Sequence, residues 1–209
     1  MYVKNLMVPK EELVTVTKED SLQFALDLIE KNDFLSIPIV GKNKFYGVVT
    51  KELILKYFYK LTNEKAQIIS LSDYKVEEVL KSDLPVLHMN DLVEAAANLL
   101  YLNKAVFVAV LDEAGEFKGI ITHKDIFREF TSLFGLDKGK RISVTAYDIP
   151  GQILKLTRII SENKGDIISC VVEDPKSKLA VKEIVLRIGT NNYDHIVRKI
   201  EASGFKLHH

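Results

Sequence analysis

One pattern of apolar and polar positions occurs twice in the first 130 residues, with an offset of about 70 residues. Each copy has apolar residues at helical spacing behind a cap candidate, which is Asp20 or Ser21 in the first copy and Asp91 in the second. The helical positions are Leu22, Ala25, Leu26 and Ile29 in the first copy and Leu92, Ala95, Ala96 and Leu99 in the second. The pattern therefore predicts one supersecondary unit that is present twice.

Behind this helix, each copy continues with a β-rich run, a turn and a closing strand that enters a second helix. The β-rich runs are Ser36–Val40 and Val106–Val110, and the closing segments are Gly47–Thr50 and Gly119–Thr122. Each copy is predicted to form a strand, a helix, two strands and a final helix.

The last 70 residues have a different pattern. Alternating strands are predicted at 142–146, 167–173 and 181–188, a short strand at 205–207, and helices at about 153–160 and 193–202. The resulting order is βαββαβ, which is the split βαβ arrangement of ferredoxin-like folds.

Charge divides the chain at the same place as the patterns do. Residues 1–138 carry a net charge of −4 and residues 139–209 a net charge of +4, whereas the whole chain is neutral. The change falls at residues 135–140, a stretch with glycine and lysine that is typical of a linker. We therefore expect a first repeat at 1–66, a second repeat at 67–134, a linker at 135–140 and a C-terminal domain at 141–209.

Composition and motif searches exclude several classes of protein. The single cysteine, Cys170, excludes a disulfide framework and is expected to be a buried or half-buried thiol in a cytoplasmic protein. No apolar run reaches the roughly 18 residues that span a bilayer, so no membrane association is expected. The chain has no Walker loop, nucleophile elbow or His-Glu-x-x-His motif, so we predict no catalytic set, no metal and no resident cofactor. His208 and His209 resemble the remnant of a tag and carry no functional weight.

The repeated unit resembles the CBS domain in its closing motif of glycine, two apolar residues, threonine, two spacers and aspartate. Thr122 and Asp125 both match this motif in the second copy, whereas in the first copy Thr50 matches and Leu53 stands at the carboxylate position. In that family, the domains occur in tandem pairs with two clefts, where the hydroxyl and the carboxylate contact the ribose of an adenine nucleotide. The chemistry is suitable because a carboxylate accepts hydrogen bonds from both ribose hydroxyls.

The resemblance implies an adenine-type regulatory ligand, such as AMP, ADP, ATP, adenosine or S-adenosylmethionine. The implied contact residues are Thr50, Ile121, Thr122, His123, Lys124 and Asp125. Because Leu53 cannot accept a hydrogen bond, we expect one such ligand per chain, in the cleft that contains Asp125. Family members that hold phosphates often carry a basic residue where this chain has Ser36 and Val106, so we expect adenosine to compete well with ATP.

A second interpretation of the closing motif requires no ligand. A threonine at the end of a strand and an aspartate in the first turn of the next helix satisfy the free N–H groups and the dipole of that helix. This interpretation accounts for Thr122 and Asp125, but it does not account for the glycine and threonine that both copies share.

The C-terminal unit resembles the ACT domain, most specifically in residues 148–151, Asp-Ile-Pro-Gly, followed by a leucine at 154. In that family, a small ligand such as an amino acid commonly lies between two domains, near the glycine-bearing loop and the start of the first helix. The implied small-ligand residues are Asp148, Ile149, Pro150, Gly151, Gln152 and Leu154. The alternative is that Pro150 and Gly151 only open a helix that Asp148 caps.

These features predict an α/β (α+β) fold, with a tandem CBS pair and a ferredoxin-like βαββαβ ACT domain. The combination resembles acetoin-utilisation-type CBS–ACT regulators, and it implies a non-enzymatic, ligand-sensing homodimer with small-molecule effectors and an unknown protein target. Two alternatives stay open. An enzyme acting on a small metabolite at the ACT interface would need a base that no motif supplies, and a nucleic-acid-binding regulator is favoured only by the positive C-terminal part.

Overall fold

The computed structural model describes residues 1–64, 69–103, 105–176 and 179–208. These residues form two compact units, Met1–Phe127 and Arg128–His209. The predicted boundary between the repeats, at residues 66 and 67, lies outside the described residues. A turn occupies residues 134–139, which overlaps the stretch 135–140 where the linker is expected, and the four predicted domain ranges stay predictions.

The first unit contains both repeats. Its elements in chain order are β1 (Val8–Pro9), α1 (Leu22–Lys31), β2 (Ser36–Gly41), β3 (Lys44–Thr50), α2 (Lys51–Glu64), β4 (Val86–His88), α3 (Val93–Asn103), β5 (Phe107–Leu111), β6 (Phe117–Thr122) and the start of α4 (His123–Leu133). The predicted cap of α1 is present, since the Ser21 hydroxyl accepts a hydrogen bond of 3.2 Å from the Phe24 N–H. The helices and strands predicted for the two copies are thus found in the same order.

The two repeats exchange their leading segments. β1 pairs with β6 of the second repeat, where Val8 faces Ile120, and Lys81 forms an antiparallel bridge with Val48 of the first repeat. Each hairpin therefore receives a short extended segment from the other repeat. The other edge of each hairpin pairs in parallel with a segment of the same repeat. In the first copy Val16 pairs with Ile39, and in the second copy β4 pairs with β5.

Aromatic and aliphatic side chains of both repeats form a shared core. The Phe45 and Phe117 rings stack with their centroids 5.3 Å apart, and the edge of Phe107 meets Phe45 at 6.3 Å. Val40 and Val48 of the first repeat are buried in the same cluster. Burial of these apolar side chains away from water holds the two hairpins together.

The second unit has the βαββαβ order. Its elements after α4 are β7 (Lys140–Tyr147), α5 (Gln152–Glu162), β8 (Asp166–Glu173), β9 (Val181–Gly189), α6 (Tyr193–Ala202) and β10 (Lys206–His208). The sheet is antiparallel with the strand order β10, β7, β9, β8. Alternate residues of the central strands, such as Val144 and Leu186, are fully buried against Leu156 of α5 and Ile196 of α6.

Cys170 departs from the prediction because its side chain is exposed. Cys170 lies on β8, an edge strand, where it pairs with Leu186 of β9. The sheet therefore continues on only one side of this residue. Partial burial still raises the pKa of the Cys170 thiol, which keeps the thiol protonated at neutral pH. Among the described residues, no helix is both long enough and apolar enough to cross a membrane.

Candidate functional sites

The closing turn of the second repeat is a complete capping box. Asp125 Oδ2 accepts hydrogen bonds from the Thr122 N–H at 3.0 Å and from Thr122 Oγ1 at 2.6 Å. The Asp125 N–H points back to Thr122 Oγ1 at 3.4 Å. Only 3% of Asp125 is exposed. The two side chains therefore close the start of α4 reciprocally, as a threonine at the N-cap and an acid three residues later do.

The closing turn of the first repeat has only half of this arrangement. The Leu53 N–H donates to Thr50 Oγ1 at 3.1 Å, which is the same threonine cap. Leu53 has no carboxylate to return the bond, so the first turn of α2 is capped from one side only. The threonine that both copies share is thus accounted for by helix capping.

A cleft of about 240 Å³ lies beside the first turn. Both repeats contribute to it, and its lining residues are Val48, Thr50, Glu52, Leu53, Lys81, Leu84, Ala105, Val106 and Phe107. Among the described lining residues, the charged groups are one lysine and one glutamate, Lys81 and Glu52. Thr50 lines this cleft together with Leu53, whereas Thr122, His123, Lys124 and Asp125 are not among its lining residues.

The shared glycine of the motif has a packing role in both repeats. A Cβ on Gly47 would lie 2.3 Å from the Lys81 carbonyl oxygen, and a Cβ on Gly119 would lie 2.1 Å from that of Val8. Both distances are far below van der Waals contact, because the exchanged segments pass directly over these glycines. The ligand hypothesis explains this glycine by the close approach of a ligand. The close approach of the exchanged backbone segment already requires it.

The other residues implied at the second turn differ in their exposure. Ile121 is fully buried on β6 and exposes no surface to a ligand. His123 and Lys124 are exposed in the first turn of α4.

In the C-terminal unit, all six implied small-ligand residues line one cavity. This cavity, of about 310 Å³, is bounded by residues 146–154 together with Val172, Lys182 and Ile184. Gly151 is the N-cap of α5 and has a φ of +89°, a left-handed conformation that favours glycine. The predicted cap by Asp148 is wrong, since α5 begins at Gln152 without a side-chain cap.

Asp148 instead faces a lysine that sequence analysis did not identify. Lys182 Nζ lies 3.5 Å from Asp148 Oδ2 and 3.2 Å from Asp174 Oδ2. The pKa of Asp174 is lowered first by the hydrogen bond from the Lys176 N–H and then by that from Lys182, and the two carboxylates raise the pKa of Lys182. The cavity therefore presents both a positive and a negative group.

The residues that sequence analysis missed lie on segments brought in from elsewhere in the chain. Lys81 and Ala105 reach the first cleft through the pairing between repeats, and Lys182 reaches the C-terminal cavity from β9. Only Val106 had a signal, as the position where relatives carry a basic residue. Within the described ranges, no group of three His, Cys, Asp or Glu side chains is placed to hold a metal ion.

Comparison with known proteins decides the family. The model of the CBS domain matches residues 3–60 and 76–132, which together are more than half of the chain. The chain belongs to the CBS-domain family. Both matches fall in the repeat region, so the closing turns described above are those of a CBS pair, and the matched residues end before β7.

Two curated relatives illustrate the range of proteins with this pair. The chain is 26% identical to cyclic di-AMP receptor B of Bacillus subtilis over 128 residues, which are 61% of this chain and 84% of the receptor. It is 30% identical to inosine-5′-monophosphate dehydrogenase of Chlorobaculum parvum over 113 residues, 54% of this chain. The match spans only 22% of that enzyme's length.

Solved structures agree with the fold of the pair. A CBS domain-containing protein of unknown function from Bacillus anthracis is 27% identical, with a TM-score of 0.54 over 63% of this chain and 93% of that one. CBSX2, solved in complex with AMP, is 23% identical, with a TM-score of 0.54 over 66% of this chain and 98% of that one.

Proposed function

We propose that this protein is a regulatory ligand sensor whose CBS pair binds an adenine nucleoside or nucleotide. The observation that carries the proposal is the cleft beside Thr50, which both repeats build at a closing turn of the family motif. The turn of Thr122 and Asp125 is the corresponding place in the second repeat, and it adds the carboxylate that can accept from a ribose. We assign the ribose contact to Asp125 and Thr122, with Ile121, His123 and Lys124 around them.

The relatives support an adenine-type ligand. The Bacillus subtilis relative is a receptor for cyclic di-AMP by name, and CBSX2 was solved with AMP. Regulation, rather than catalysis, fits the absence of a catalytic motif from the sequence.

A small ligand with little phosphate is favoured. Ser36 and Val106 stand at the positions where the resemblance implies a basic residue in phosphate-holding family members, so adenosine, S-adenosylmethionine and AMP are preferred over ADP and ATP. The first cleft, into which Leu53→Asp should redirect the ligand, has a volume of about 240 Å³, below the roughly 300–1,000 Å³ of pockets for drug-sized molecules, so a single nucleoside suits it better than a dinucleotide.

An exchange of the two turns tests the assignment. In calorimetry of the full chain, we expect adenosine to bind with one equivalent per chain and binding to be lost in Asp125→Leu. Adding Leu53→Asp to that variant should restore binding, now in the first cleft. Val106→Trp, which fills that cleft, should then abolish the restored binding, whereas Leu102→Trp, at an exposed position outside the lining residues, should leave it intact. Unchanged adenosine binding by Asp125→Leu would refute the ribose assignment, and no binding of any adenine compound would refute the function.

We further propose that the C-terminal unit is an ACT domain that binds a small molecule, such as an amino acid, at Asp148, Ile149, Pro150, Gly151, Gln152 and Leu154. The pair of Asp148 and Lys182 supports this proposal, since a zwitterion can face both charges. Gly151→Val should abolish amino-acid binding while adenosine binding is retained. Gly115→Val is the matched control, because Gly115 also has positive φ and open space around its Cβ position.

A homodimer completes the proposal. Tyr147, Ile149 and Leu154 are large apolar residues that lie exposed around the same loop, and their burial against a second copy would be favourable. Light scattering should give twice the chain mass of 23.7 kDa. A mass near that of one chain at micromolar concentration would contradict the dimer.

A further inference from the structure

The C-terminal unit contains a second cavity, which lies next to the one beside Asp148 and has different charged side chains in its lining. Its volume is about 450 Å³, within the size range of small-molecule pockets. The floor and walls include the apolar side chains of Ala146, Val181 and Phe205, and the polar groups of Thr145 and Gln152 face the same space.

Two lysines give this cavity its charge. Lys155 on α5 and Lys206 on β10 both line it, and no aspartate or glutamate is among its lining residues. The cavity beside Asp148 has one acidic and one basic side chain, so the two neighbouring cavities differ in charge although they share Ala146, Tyr147 and Gln152.

The Lys155 ammonium is held in a defined position. Its Nζ donates to the Ser203 carbonyl oxygen at 2.6 Å and lies 5.4 Å from the centroid of the Phe205 ring. A lysine ammonium has three donors, so the bond to Ser203 leaves two for another acceptor. Fixing the side chain in advance reduces the conformational entropy that a ligand would have to overcome.

From these features we infer that this cavity binds a small organic anion: a carboxylate with an apolar body and no ammonium group. The carboxylate would accept from Lys155 and Lys206, and the apolar body would lie on Val181 and Phe205. An amino acid is disfavoured, because its ammonium would meet two lysines and no acidic partner. The inference goes beyond the proposed amino-acid site, which needs Asp148.

The probes are 4-methyl-2-oxopentanoate and leucine, which share an apolar tail and a carboxylate and differ in the ammonium. In calorimetry and amide chemical-shift titration of the full chain, we expect the oxo acid to bind and to shift residues of β10 and the start of α5. Leucine should bind this cavity at least roughly tenfold more weakly. Lys155→Met and Lys206→Met should each weaken binding of the oxo acid about tenfold or more.

Two further variants keep the test decisive. Lys155 also binds a carbonyl at the end of α6, so Lys206→Met is the informative variant if Lys155→Met fails to fold. Lys182→Met alters only the neighbouring cavity and should leave the oxo acid bound. No binding of the oxo acid at millimolar concentration, normal binding by Lys206→Met, loss in Lys182→Met, or equal binding of leucine here would each overturn the inference. Inorganic phosphate that displaced the oxo acid completely would show that the cavity selects charge alone and would overturn the carboxylate assignment.

Discussion

The two closing turns of the CBS pair share a threonine helix cap, but they differ in the side chain three residues later. At the second turn, a buried carboxylate is hydrogen-bonded by Thr122, whereas at the first turn Leu53 stands in that place and a cleft lies beside it. One duplicated motif has thus kept the glycine and the threonine in both copies and the acid in only one.

The difference separates two roles that the motif combines. Glycine and threonine serve the fold, since the glycine admits the exchanged segment and the threonine caps the following helix. These needs are the same in both repeats. The residue three positions after the threonine is free to vary, because a helix capped from one side is still capped, and in the proposed function this position distinguishes the two turns.

The largest effect on the free energy of unfolding is expected at the motif glycine that both repeats share. Gly47→Ala and Gly119→Ala should each lower the free energy of unfolding by about 3–5 kcal/mol, because the new Cβ meets a backbone carbonyl that cannot move aside. Gly115→Ala, with no atom within 4 Å, should cost only about 1–2 kcal/mol of backbone strain. Urea denaturation measures all three. A cost at either motif glycine no larger than that at Gly115 would contradict the packing role.

A smaller and asymmetric effect is expected where the repeats differ. Asp125→Leu removes the acceptor of two Thr122 hydrogen bonds and should cost about 2–3 kcal/mol. Leu53→Asp can complete the capping box of the first turn and should change stability by less than about 1 kcal/mol, in the stabilising direction. Thermal unfolding of the apo variants compares them. If Asp125→Leu destabilised the protein by as much as Leu53→Asp stabilised it, the burial of Asp125 would contribute nothing to stability beyond the helix cap.

Ligand selectivity should depend only weakly on phosphate number. Because Ser36 and Val106 stand where the resemblance implies a basic residue in phosphate-holding members of the family, adenosine and ATP should differ in affinity by no more than about tenfold. Competition calorimetry with both compounds tests this. A preference for ATP beyond a hundredfold would contradict this weak dependence on phosphate number.

The smallest effect concerns the hairpin turns of the two repeats. Lys118 Nζ lies 2.9 Å from both Asp112 Oδ2 and Glu116 Oε2, and Asn43 of the first repeat donates to Glu116 at 3.0 Å. These contacts lower the pKa of both carboxyl groups and raise the pKa of Lys118 to about 12.

The stabilisation by lowered carboxyl pKa values is present at neutral pH and is lost as the pH falls through those values. We therefore expect Lys118→Met to be slightly less stable than the natural protein at pH 7 and to approach it below the ordinary carboxyl pKa values. The groups are exposed, so added salt should reduce the difference. A difference that grew in acid would contradict the ion pairs.

Local elements of this fold are predictable from sequence because their signals are local. The cap at Ser21 and the helix at Tyr193–Ala202 follow from residues within one or two turns. The exposure of Cys170 is not predictable in this way, because it depends on the strand order that makes β8 an edge. The alternative in which Asp148 caps α5 fails for a different reason: Gly151 adopts positive φ and is itself the N-cap, so the helix begins at Gln152 without a side-chain cap.

The candidate sites follow the same rule. The loop at 148–154 is contiguous, and the six residues implied by the resemblance line one cavity. The first cleft combines a turn with residues 81–84 and 105–107, which periodicity cannot place together. The capping bonds of Asp125 show why one motif supports two interpretations, since a carboxylate at this position can serve both a helix and a ribose.

The exchanged segments also affect how the CBS pair folds. Val8 must find Ile120, which is more than a hundred residues away in the chain, and Lys81 must find Val48, before either hairpin has both of its edges paired. Contacts of such long sequence separation slow folding and make it cooperative across the whole unit. Neither repeat is then an autonomous folding unit, and amide hydrogens of β3 and β6 should exchange with solvent through one common opening reaction.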